Sequence, residues 1–369
     1  MKDTFLSISE TAAQNRHAIF RYVLEHAPVS RTEIWKGNSV SRASVTKSIK
    51  KLIDDGLIVE AEKVHTEKGR LPSHLRIRED ALYMFIFLWE TRTLYLVNLL
   101  GRIIDRLVLS FPDDKCAPGV FADIVVNGIA QINSVHHIDK DKTVGLGLLL
   151  YGQIDFRKQI LLYSVAFGWS NINIRDLFRD KFDGEVYIER YANMIAFGEY
   201  THGCAKSCDH ILMVEIEKDG IGAAFVTHGD CQHGSNYMYG ELGHTKVNSD
   251  IICSCGQKGC LEAVVKDRLQ RNNGTVDEII LDYLSTSISS IVVFTDPTIV
   301  VLGGKLVESL SQADKVSFIN MIQSRIINFA SRKQTILFED NEEEAAVNGM
   351  CAFMLNAYID SLESASSEA

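Results

Sequence analysis

Along residues 14–38, apolar positions recur at helical spacing and are separated by turn signals. The apolar face of a first predicted helix consists of Ile19, Phe20, Val23 and Leu24. The segment "HAPVS" ends this helix. "SRTEIWKG" predicts a second, short helix, because Ser30 is a favoured N-cap and Glu33, three residues later, completes a capping box.

A third helix is predicted within "SVSRASVTKSIKKLIDDG", where Gly56 is the stop signal. Its apolar face consists of Val45, Ile49, Leu52 and Ile53. Its polar face, which we predict to contact DNA, consists of Ser41, Arg42, Ser44, Thr46, Lys47, Lys50 and Lys51. Because only "GNSV" separates the second helix from the third, we expect them to pack at a steep angle, with the third helix facing outward.

The segments after this helix complete a known DNA-binding arrangement. "LIVEAEKV" and "LPSHLRIR" predict two short strands around the polar turn "HTEKGR". Three helices followed by such a ribbon indicate a winged helix-turn-helix. The alternative is a three-helix packing module whose charged face is merely solvated.

From residue 79 onward the pattern becomes that of an α/β protein. "ALYMFIFLWETRTLYLVNLLGRIIDRLVL" predicts three consecutive strands, and "TVGLGLLLYG" and "EVYIE" predict two more. "YANMIAFGEYTHG" predicts a helix, and "DHILMVEIEKDGIGAAFVTHG" a hairpin. "PTIVVLGGKLVESL" predicts a buried strand, a glycine turn and a helix start, and "NEEEAAVNGMCAFMLNAYID" an amphipathic helix. Two similar sheet-plus-helix halves are expected, and ligand chemistry belongs in this body.

The charge distribution separates the two parts of the chain. Residues 1–78 carry 14 Lys and Arg against 9 Asp and Glu, a net charge of +5. The rest carries 24 against 39, a net charge of −15. A basic segment on an acidic body suggests two tasks, with nucleic acid as the partner of the basic segment.

Composition restricts the cellular setting. Eight cysteines in 369 residues are too few for a disulfide scaffold, and the start "MKDTFLSISETAAQNR" lacks the apolar core of a signal peptide. The most apolar run, "ALYMFIFLW", is much shorter than the roughly 20 residues of a membrane helix. We therefore expect a cytoplasmic protein with reduced thiols and no membrane insertion.

The segment "HTKVNSDIICSCGQKGC" concentrates metal-binding side chains: His244, Cys253, Cys255 and Cys260. One His and three Cys supply the four N and S ligands that zinc takes in closed tetrahedral sites. Gly256 and Gly259 allow the chain to wrap around a metal. With four protein ligands the metal has no open position, so the sequence predicts a structural Zn²⁺. The alternative is three buried free cysteines and a core histidine.

The composite "GELGHTKV…CSCGQKGCLEA" resembles the signature of the ROK family (repressors, open reading frames and sugar kinases). "SRTEIWKGNSVSRASVTKSIKKLIDDGLI" and "GRLP" are similar to the winged helix-turn-helix of its repressor branch, which includes regulators of xylose, glucose and N-acetylglucosamine genes. "GWSNINIRDLF" and "PTIVVLGG" fit two further landmarks, so the resemblance covers almost the whole chain.

The resemblance implies an α/β, two-lobed actin-like ATPase fold behind the winged helix-turn-helix, with a sugar bound between the lobes. The implied divisions are 1–78 for the DNA-binding domain, 79–190 plus 344–369 for the first lobe, and 191–343 for the second lobe with its zinc loop. Positions that contact sugar hydroxyls in the family correspond here to Glu241, His244 and Glu262. Zinc on one imidazole nitrogen would fix the direction of the other and hold the loop in shape.

Two features of the family's sugar kinases are missing. Their Asp-Ile-Gly-Gly-Thr-like phosphate loop corresponds here to Ile86, Phe87, Leu88, Trp89 and Glu90. Their Asn-Asp-Ala-Asn segment, whose Asp is the base for the sugar hydroxyl, corresponds to Arg190, Tyr191, Ala192 and Asn193. Tyrosine, with an ordinary pKa near ~10, is a poor base at neutral pH, so we predict no phosphoryl transfer.

Arg190 also bears on the effector. Arginine suits a phosphate or carboxylate, so a sugar phosphate or sugar acid is one expectation, with Arg190 and Asn193 facing Glu241, His244 and Glu262. The alternative is that Arg190 closes the pocket by pairing with Glu241 or Glu262, leaving no sugar ligand.

The sequence therefore predicts a DNA-binding transcriptional regulator, a repressor of carbohydrate genes. It is expected to bind an operator as a homodimer or homotetramer, because one small helix-turn-helix makes too few contacts for specificity. The alternatives are a sugar kinase with an added DNA-binding domain and a regulator controlled by a partner protein.

Overall fold

The computed structural model describes residues 8–38, 40–60, 65–66, 69–70, 74–113, 115–206, 208–327 and 334–365. Its N-terminal helices are α1 (Ile8–His26), α2 (Arg31–Gly37) and α3 (Arg42–Asp54). Short strands accompany them: β1 (Val29–Ser30), β2 (Ile58–Glu60), β3 (His65–Thr66), β4 (Gly69–Arg70) and β5 (His74–Ile77). The three predicted helices are confirmed.

The predicted capping box at the start of α2 is also present. Ser30 Oγ accepts from the Glu33 N–H (3.2 Å), and Glu33 Oε2 accepts from the Ser30 N–H (2.7 Å). The expected ribbon is the antiparallel pair β2 and β5, and β1, which the sequence did not indicate, pairs with the other edge of β5. Residues 61–64, 67–68 and 71–73 of the predicted ribbon lie outside the described residues.

The next part of the chain forms a five-stranded sheet with a helix and a small second sheet. Its elements are β6 (Tyr83–Leu88), β7 (Thr93–Asn98), β8 (Ile103–Val108), α4 (Pro118–His136), β9 (Thr143–Leu150), β10 (Gln153–Asp155), β11 (Ile160–Ser164), β12 (Trp169–Asn173), α5 (Ile174–Phe178) and β13 (Glu185–Arg190). The strand order is β13-β9-β6-β7-β8. The five strands predicted here are confirmed, whereas α4 and the β10-β11-β12 sheet were not anticipated.

The remaining elements build a second five-stranded sheet. They are α6 (Tyr191–Thr201), β14 (His210–Ile216), β15 (Ile221–Thr227), β16 (Asp230–Cys231), α7 (Leu261–Arg271), α8 (Glu278–Thr295), β17 (Ile299–Gly303), α9 (Lys305–Glu308), α10 (Gln312–Arg325), β18 (Thr335–Phe338) and α11 (Glu342–Ala365). The order is β16-β15-β14-β17-β18. In each sheet an antiparallel trio continues into two parallel strands, so the two halves repeat one topology, as predicted.

Helices α6 and α11 pack closely against each other. A side chain on Gly198 would collide with the Ala345 carbonyl, and one on Gly349 would collide with the Met194 carbonyl, so both positions need glycine. Apolar residues of α1, α3, α6 and α11 share one core cluster. The N-terminal unit is thereby joined to the body through α11, while the boundaries expected at 78, 190 and 343 stay predictions.

Helix α8 is unusually apolar. Among the described helices it is the one whose length and composition would allow a membrane span, with a mean hydropathy of 1.3 over 18 residues. Core helices pass the same test, and Ile280, Leu284 and Ile288 of α8 are buried in the core of the second sheet.

Candidate metal centre and effector site

The cysteine-rich segment folds back on itself as a narrow ribbon. The Val247 N–H donates to the Gly259 carbonyl (2.8 Å), and the Cys253 N–H donates to the Gln257 carbonyl (2.8 Å). Gly259 has φ +69°, and a side chain there would lie 2.7 Å from the Val247 and Ser249 carbonyl oxygens. Glycine at this position therefore lets the ribbon close.

This fold brings the four predicted metal ligands together. One ligand atom from each of His244, Cys253, Cys255 and Cys260 lies within 4.8 Å of the others. The Cys255 and Cys260 sulfurs are 3.6 Å apart, and the Cys253 sulfur is 3.7 Å from His244 Nδ1. Ligands on a tetrahedral zinc would be about 3.5–3.8 Å apart, given bonds of ~2.3 Å to sulfur and ~2.0 Å to nitrogen. The donor set and spacing thus fit the metal that the sequence predicts.

Charged groups surround this cluster. Lys246 Nζ lies 3.0 Å from the Cys260 sulfur, to which it donates a hydrogen bond. Glu262, in the first turn of α7, lies 3.0 Å from the Cys253 sulfur and 3.5 Å from His244 Nδ1. The first turn of a helix favours such a carboxylate.

His244 connects the metal cluster to the cleft. Its Nδ1 faces Cys253, whereas its Nε2 lies 3.8 Å from Glu241 Oε2. A metal on Nδ1 leaves Nε2 directed at Glu241. The two ring nitrogens therefore face two different neighbours, as expected if one nitrogen binds the metal and the other is directed at the sugar-binding side.

Arg190 lies at the centre of the predicted effector site. Its guanidinium is 3.4 Å from Glu241 Oε1, and it donates to the Tyr239 carbonyl (2.8 Å) and to Asn193 Oδ1 (3.3 Å). Only 13% of its side chain is exposed, whereas 36% of the Glu241 side chain is exposed. The structure thus brings Arg190, Asn193, Glu241 and His244 together, in the pairing expected of a closed pocket, with Glu262 on the other side of His244.

Sequence reasoning missed a buried ion pair beside these residues. Glu189, 1% exposed, accepts from His233 Nε2 (2.5 Å), from Asn193 Nδ2 (2.8 Å) and from the Arg190 N–H (2.7 Å). Burial opposes the charge of Glu189, but the hydrogen bond and charge of His233 hold its pKa below the usual range. A charged residue within the buried strand "EVYIER" is the signal that would have identified it.

A second part of the cleft surrounds the Gly303-Gly304 turn. The Gly304 N–H donates to Glu342, the Lys305 N–H donates to Glu217 Oε1 (2.9 Å), and Lys305 Nζ donates to Glu90 Oε1 (2.7 Å). These are the donors that such a turn would offer to an anion. The chain's own carboxylates occupy them.

Three further observations concern phosphate chemistry. Burial raises the pKa of Glu342 to about 7, and burial, followed by the charge of Glu342, raises the pKa of Glu215 well above its usual range. Tyr191, at the predicted base position, is 4% exposed, and burial raises its pKa strongly. Ile86, Phe87 and Leu88 are completely buried within β6, so bulky strand residues stand at the positions that correspond to the glycines of a phosphate loop.

Helix α3 presents the predicted DNA contacts. The residues on its solvent side are Ser41, Arg42, Thr46, Lys47, Lys50 and Lys51, and Ser44 is half-buried. The Arg42 guanidinium stacks on the Trp35 ring at 3.9 Å from the centroid, and Lys51 pairs with Asp55 (2.6 Å). The predicted apolar residues Val45, Ile49 and Leu52 are buried. The helix is therefore amphipathic in the orientation expected from the sequence.

Comparisons with known proteins agree with this architecture. Residues 108–271 match the model of the ROK family. The chain is 21% identical to the xylose repressor of Bacillus subtilis (strain 168), covering 94% of this chain and 96% of that protein. It is 24% identical to the DNA-binding transcriptional dual regulator NagC of Escherichia coli (strain K12), covering 77% of this chain and 69% of that protein.

Solved structures show the same fold. A ROK family transcriptional regulator described as a homologue of the E. coli MLC protein superimposes with a TM-score of 0.80 at 17% identity, covering 97% of this chain and 99% of that one. A ROK hexokinase from Thermus thermophilus gives a TM-score of 0.60 at 20% identity, covering 76% and 99%. The molecule is thus a two-lobed, actin-like α/β protein. Residues 108–271 are similar to the ROK family domain.

Proposed function

We propose that this protein is a DNA-binding transcriptional regulator, a repressor of carbohydrate uptake or metabolism genes whose ROK body senses a sugar or sugar derivative. The observation that carries the proposal is the amphipathic α3, with its basic and hydroxyl side chains in solvent and its apolar face in the core. The similarity to the xylose repressor, which extends over almost the whole of both chains, supports it.

The cleft supports a protein without kinase activity. An ATP phosphate would have to displace Glu342, Glu217 and Glu90 from the Gly304 and Lys305 donors. It would also meet the negative charge of Glu90, because burial opposes this charge but the hydrogen bonds of Lys305 and Tyr151 hold the pKa of Glu90 below its usual range. Tyr191 would have to act as base from a buried position at which its pKa is raised. A ROK hexokinase among the structural neighbours shares the fold, and the fold alone does not show the activity.

A coupled ATP-consumption assay with a panel of hexoses, pentoses and amino sugars tests this part of the proposal. We expect no sugar-dependent turnover above the protein-free control, because both the phosphate donors and the base are unavailable to substrate. Turnover that depends on one sugar and disappears in Lys305→Ala would establish the kinase alternative.

The Cys₃His cluster is proposed to hold a structural Zn²⁺. The support is the spacing of the four ligand atoms and the position of Lys246 beside the Cys260 sulfur. When bound, zinc would supply four bonds that hold the loop between the single 3₁₀ turn Leu242–His244 and α7 closed, with no open position for a reaction. The chain's own residues would then keep Glu241 and Glu262 on either side of His244.

The effector is proposed to be a sugar phosphate or sugar acid. The Arg190 guanidinium is largely buried and forms an ion pair with the carboxylate of Glu241, whose side chain is more exposed. An anionic group from a ligand can take the place of Glu241, whereas a neutral sugar that displaced Glu241 would leave a buried cation unpaired. Asn193 and Glu189 hold Arg190 in position for this exchange.

We expect a thermal-shift screen of sugars, sugar phosphates and sugar acids to identify an anionic ligand. A ligand at 100 times its Kd adds about 2.7 kcal/mol, which is easily measured. Arg190→Gln should remove the response, whereas Arg175→Gln, an exposed arginine on α5, should keep it. A response to a neutral sugar but not to its phosphate would contradict the proposal, and no response at all would favour the closed pocket and control by a partner protein.

The proposal includes a cytoplasmic, homodimeric or homotetrameric protein on double-stranded operator DNA. Two-fold pairs of helix-turn-helix units meet half-sites one helical turn apart, or a multiple, at roughly 34–36 Å per turn. The relatives are named as a repressor and a DNA-binding regulator, which supports the proposed binding to operator DNA.

A further inference from the structure

The turn at residues 155–159, between β10 and β11, is fixed against β13, the strand that leads into the effector site. Gln159, 4% exposed, donates to the Phe156 carbonyl and accepts from the Ile188 N–H of β13 (2.7 Å). Gln159 has φ +58°, a conformation that a residue other than glycine keeps only where its surroundings hold it. The backbone of Phe156 therefore has a fixed position relative to β13.

The ring of Phe156 covers one face of the His233 imidazole. The two ring centroids are 3.6 Å apart, and the planes are inclined by 27°. His233 Nε2 is the donor to the buried Glu189, so the stacked imidazole is the one that forms the ion pair. Stacking fixes the plane of the imidazole and with it the direction of this hydrogen bond.

Polar contacts join β10 to the loop that follows β16. Gln153 Nε2 donates to the Asn236 carbonyl (2.7 Å). Tyr237 has φ +57°, and its hydrogen bond with Asp155 raises the pKa of the phenol. Because a tyrosine in this left-handed conformation is strained, its contact with β10 has to hold it there. We call the two joined segments, residues 153–156 and residues 233–237, the strap.

The strap is continuous with the groups that hold Arg190. On one side, His233 is bound to Glu189 (2.5 Å). Glu189 also accepts from Asn193 Nδ2 (2.8 Å) and from the Arg190 N–H (2.7 Å). On the other side, the chain runs from the strap to Tyr239, whose carbonyl accepts from the Arg190 guanidinium (2.8 Å). The position of the arginine thus depends on both ends of the strap.

Two roles can be distinguished for Phe156. It is half-buried and packs against the apolar cluster of the first sheet, as a core residue does. A core residue needs volume, whereas a stacking partner needs a flat aromatic face, which a leucine of similar size does not offer. The ring of Phe156 lies on the imidazole of a buried ion pair, and this contact favours the second role.

We propose that Phe156 is a positioning residue of the effector site, which acts by stacking on His233 and so holding Glu189 in place. The strap that Phe156 anchors keeps the site closed around Arg190. The inference rests on the proposed function, because the site is that of the proposed effector. It adds the contact that has to separate when an effector enters.

Cys231 offers a probe of the strap within the chain itself. It lies in β16, two residues before His233, and its thiol donates to the Asn193 carbonyl (3.7 Å). Burial raises the pKa of this thiol well above the usual range, so it reacts slowly with thiol reagents while the strap is closed. Cys116, 4% exposed, belongs to the apolar cluster of the first sheet and reports on loosening of that core instead.

Alkylation of the whole chain by N-ethylmaleimide, followed by mass spectrometry of each cysteine peptide, tests the proposal. We expect Phe156→Leu to accelerate labelling of Cys231 roughly 2–10-fold, the equilibrium contribution of one aromatic pair. Phe156→Tyr, which keeps the ring, should label at the wild-type rate. Phe182→Leu is the matched control, because Phe182 is another half-buried phenylalanine that packs against the same cluster.

Hydrogen exchange of the Arg190 amide gives a second readout, because this N–H donates to Glu189. It should exchange faster in Phe156→Leu and at the wild-type rate in Phe182→Leu. Equal acceleration of Cys116 and Cys231 labelling would overturn the proposal, as would a wild-type rate of Cys231 labelling in Phe156→Leu. Neither measurement uses an effector or DNA, so the proposed function can fail in the ligand screen while the strap stands, and the strap can fail while the function stands.

Discussion

Protein purified without added metal should contain about one zinc ion per chain, and Cys260→Ser should release it. Cys260 is completely buried at the start of α7, and the loop before it is held by two isolated β-bridges and the two glycine turns. Structural zinc sites contribute ~10–16 kcal/mol of apparent binding energy in small peptides. One ligand in four is therefore worth about 2.5–4 kcal/mol, and its loss should weaken binding by roughly two to three orders of magnitude.

The measurement is metal analysis combined with limited trypsin digestion. Without the metal, the loop from 245 to 260 should open, and cleavage after the exposed Lys258 should accelerate. Cys204→Ser is the control, because this exposed cysteine lies outside the cluster and its substitution should leave the zinc content unchanged. A wild-type protein that is free of metal and still resists cleavage in the loop would contradict the zinc proposal.

Replacement of Arg42 and Lys47 by alanine should strongly reduce affinity for an operator selected from a random duplex library. Each base contact of this kind contributes about 1–3 kcal/mol, or roughly 5–150-fold in affinity. Arg42 is held by stacking on Trp35, so its guanidinium is positioned before DNA arrives. Lys50→Ala should mainly lower the salt dependence of binding, by a slope of about 1.

The structure refines this expectation for one residue. Lys51 already pairs with Asp55, so Lys51→Ala should change the salt dependence less than Lys50→Ala. Fluorescence anisotropy at several salt concentrations measures both effects. Lys140→Ala, at an exposed position in the body, is the control. Unchanged affinity in the Arg42 and Lys47 double variant would support the alternative of a three-helix packing module.

Local features of the fold were predictable because short-range rules determine them. The capping box at Ser30 and Glu33 depends on residues three apart, and the amphipathic face of α3 depends on helical spacing. Two of the strands that the sequence did not indicate, β1 and β10, are only two and three residues long and carry no clear alternation. Short strands form where a neighbouring strand offers hydrogen bonds, which the local sequence does not reveal.

The effector site was only partly predictable for a related reason. Arg190, Asn193, Glu241 and His244 were identified from the family resemblance, and the structure places them in contact. These residues are supported by the ion pair of Glu189 and His233, which lie 44 positions apart in the sequence. No spacing pattern in the sequence indicates such a contact.

By itself, the sequence determined the division into a basic helical segment and an acidic α/β body. It also identified the four candidate metal ligands, because closely spaced cysteines and a histidine carry their chemistry in residue type and spacing. Only the tertiary structure decided that Glu90 neutralises Lys305 from a distance of 215 residues, and that one side of the apolar α8 stays exposed. The ion pair and the exposed helix face depend on which surfaces the folded sheets bring together. The sequence gives the hydrophobicity of each residue, whereas its burial depends on the packing of the whole chain.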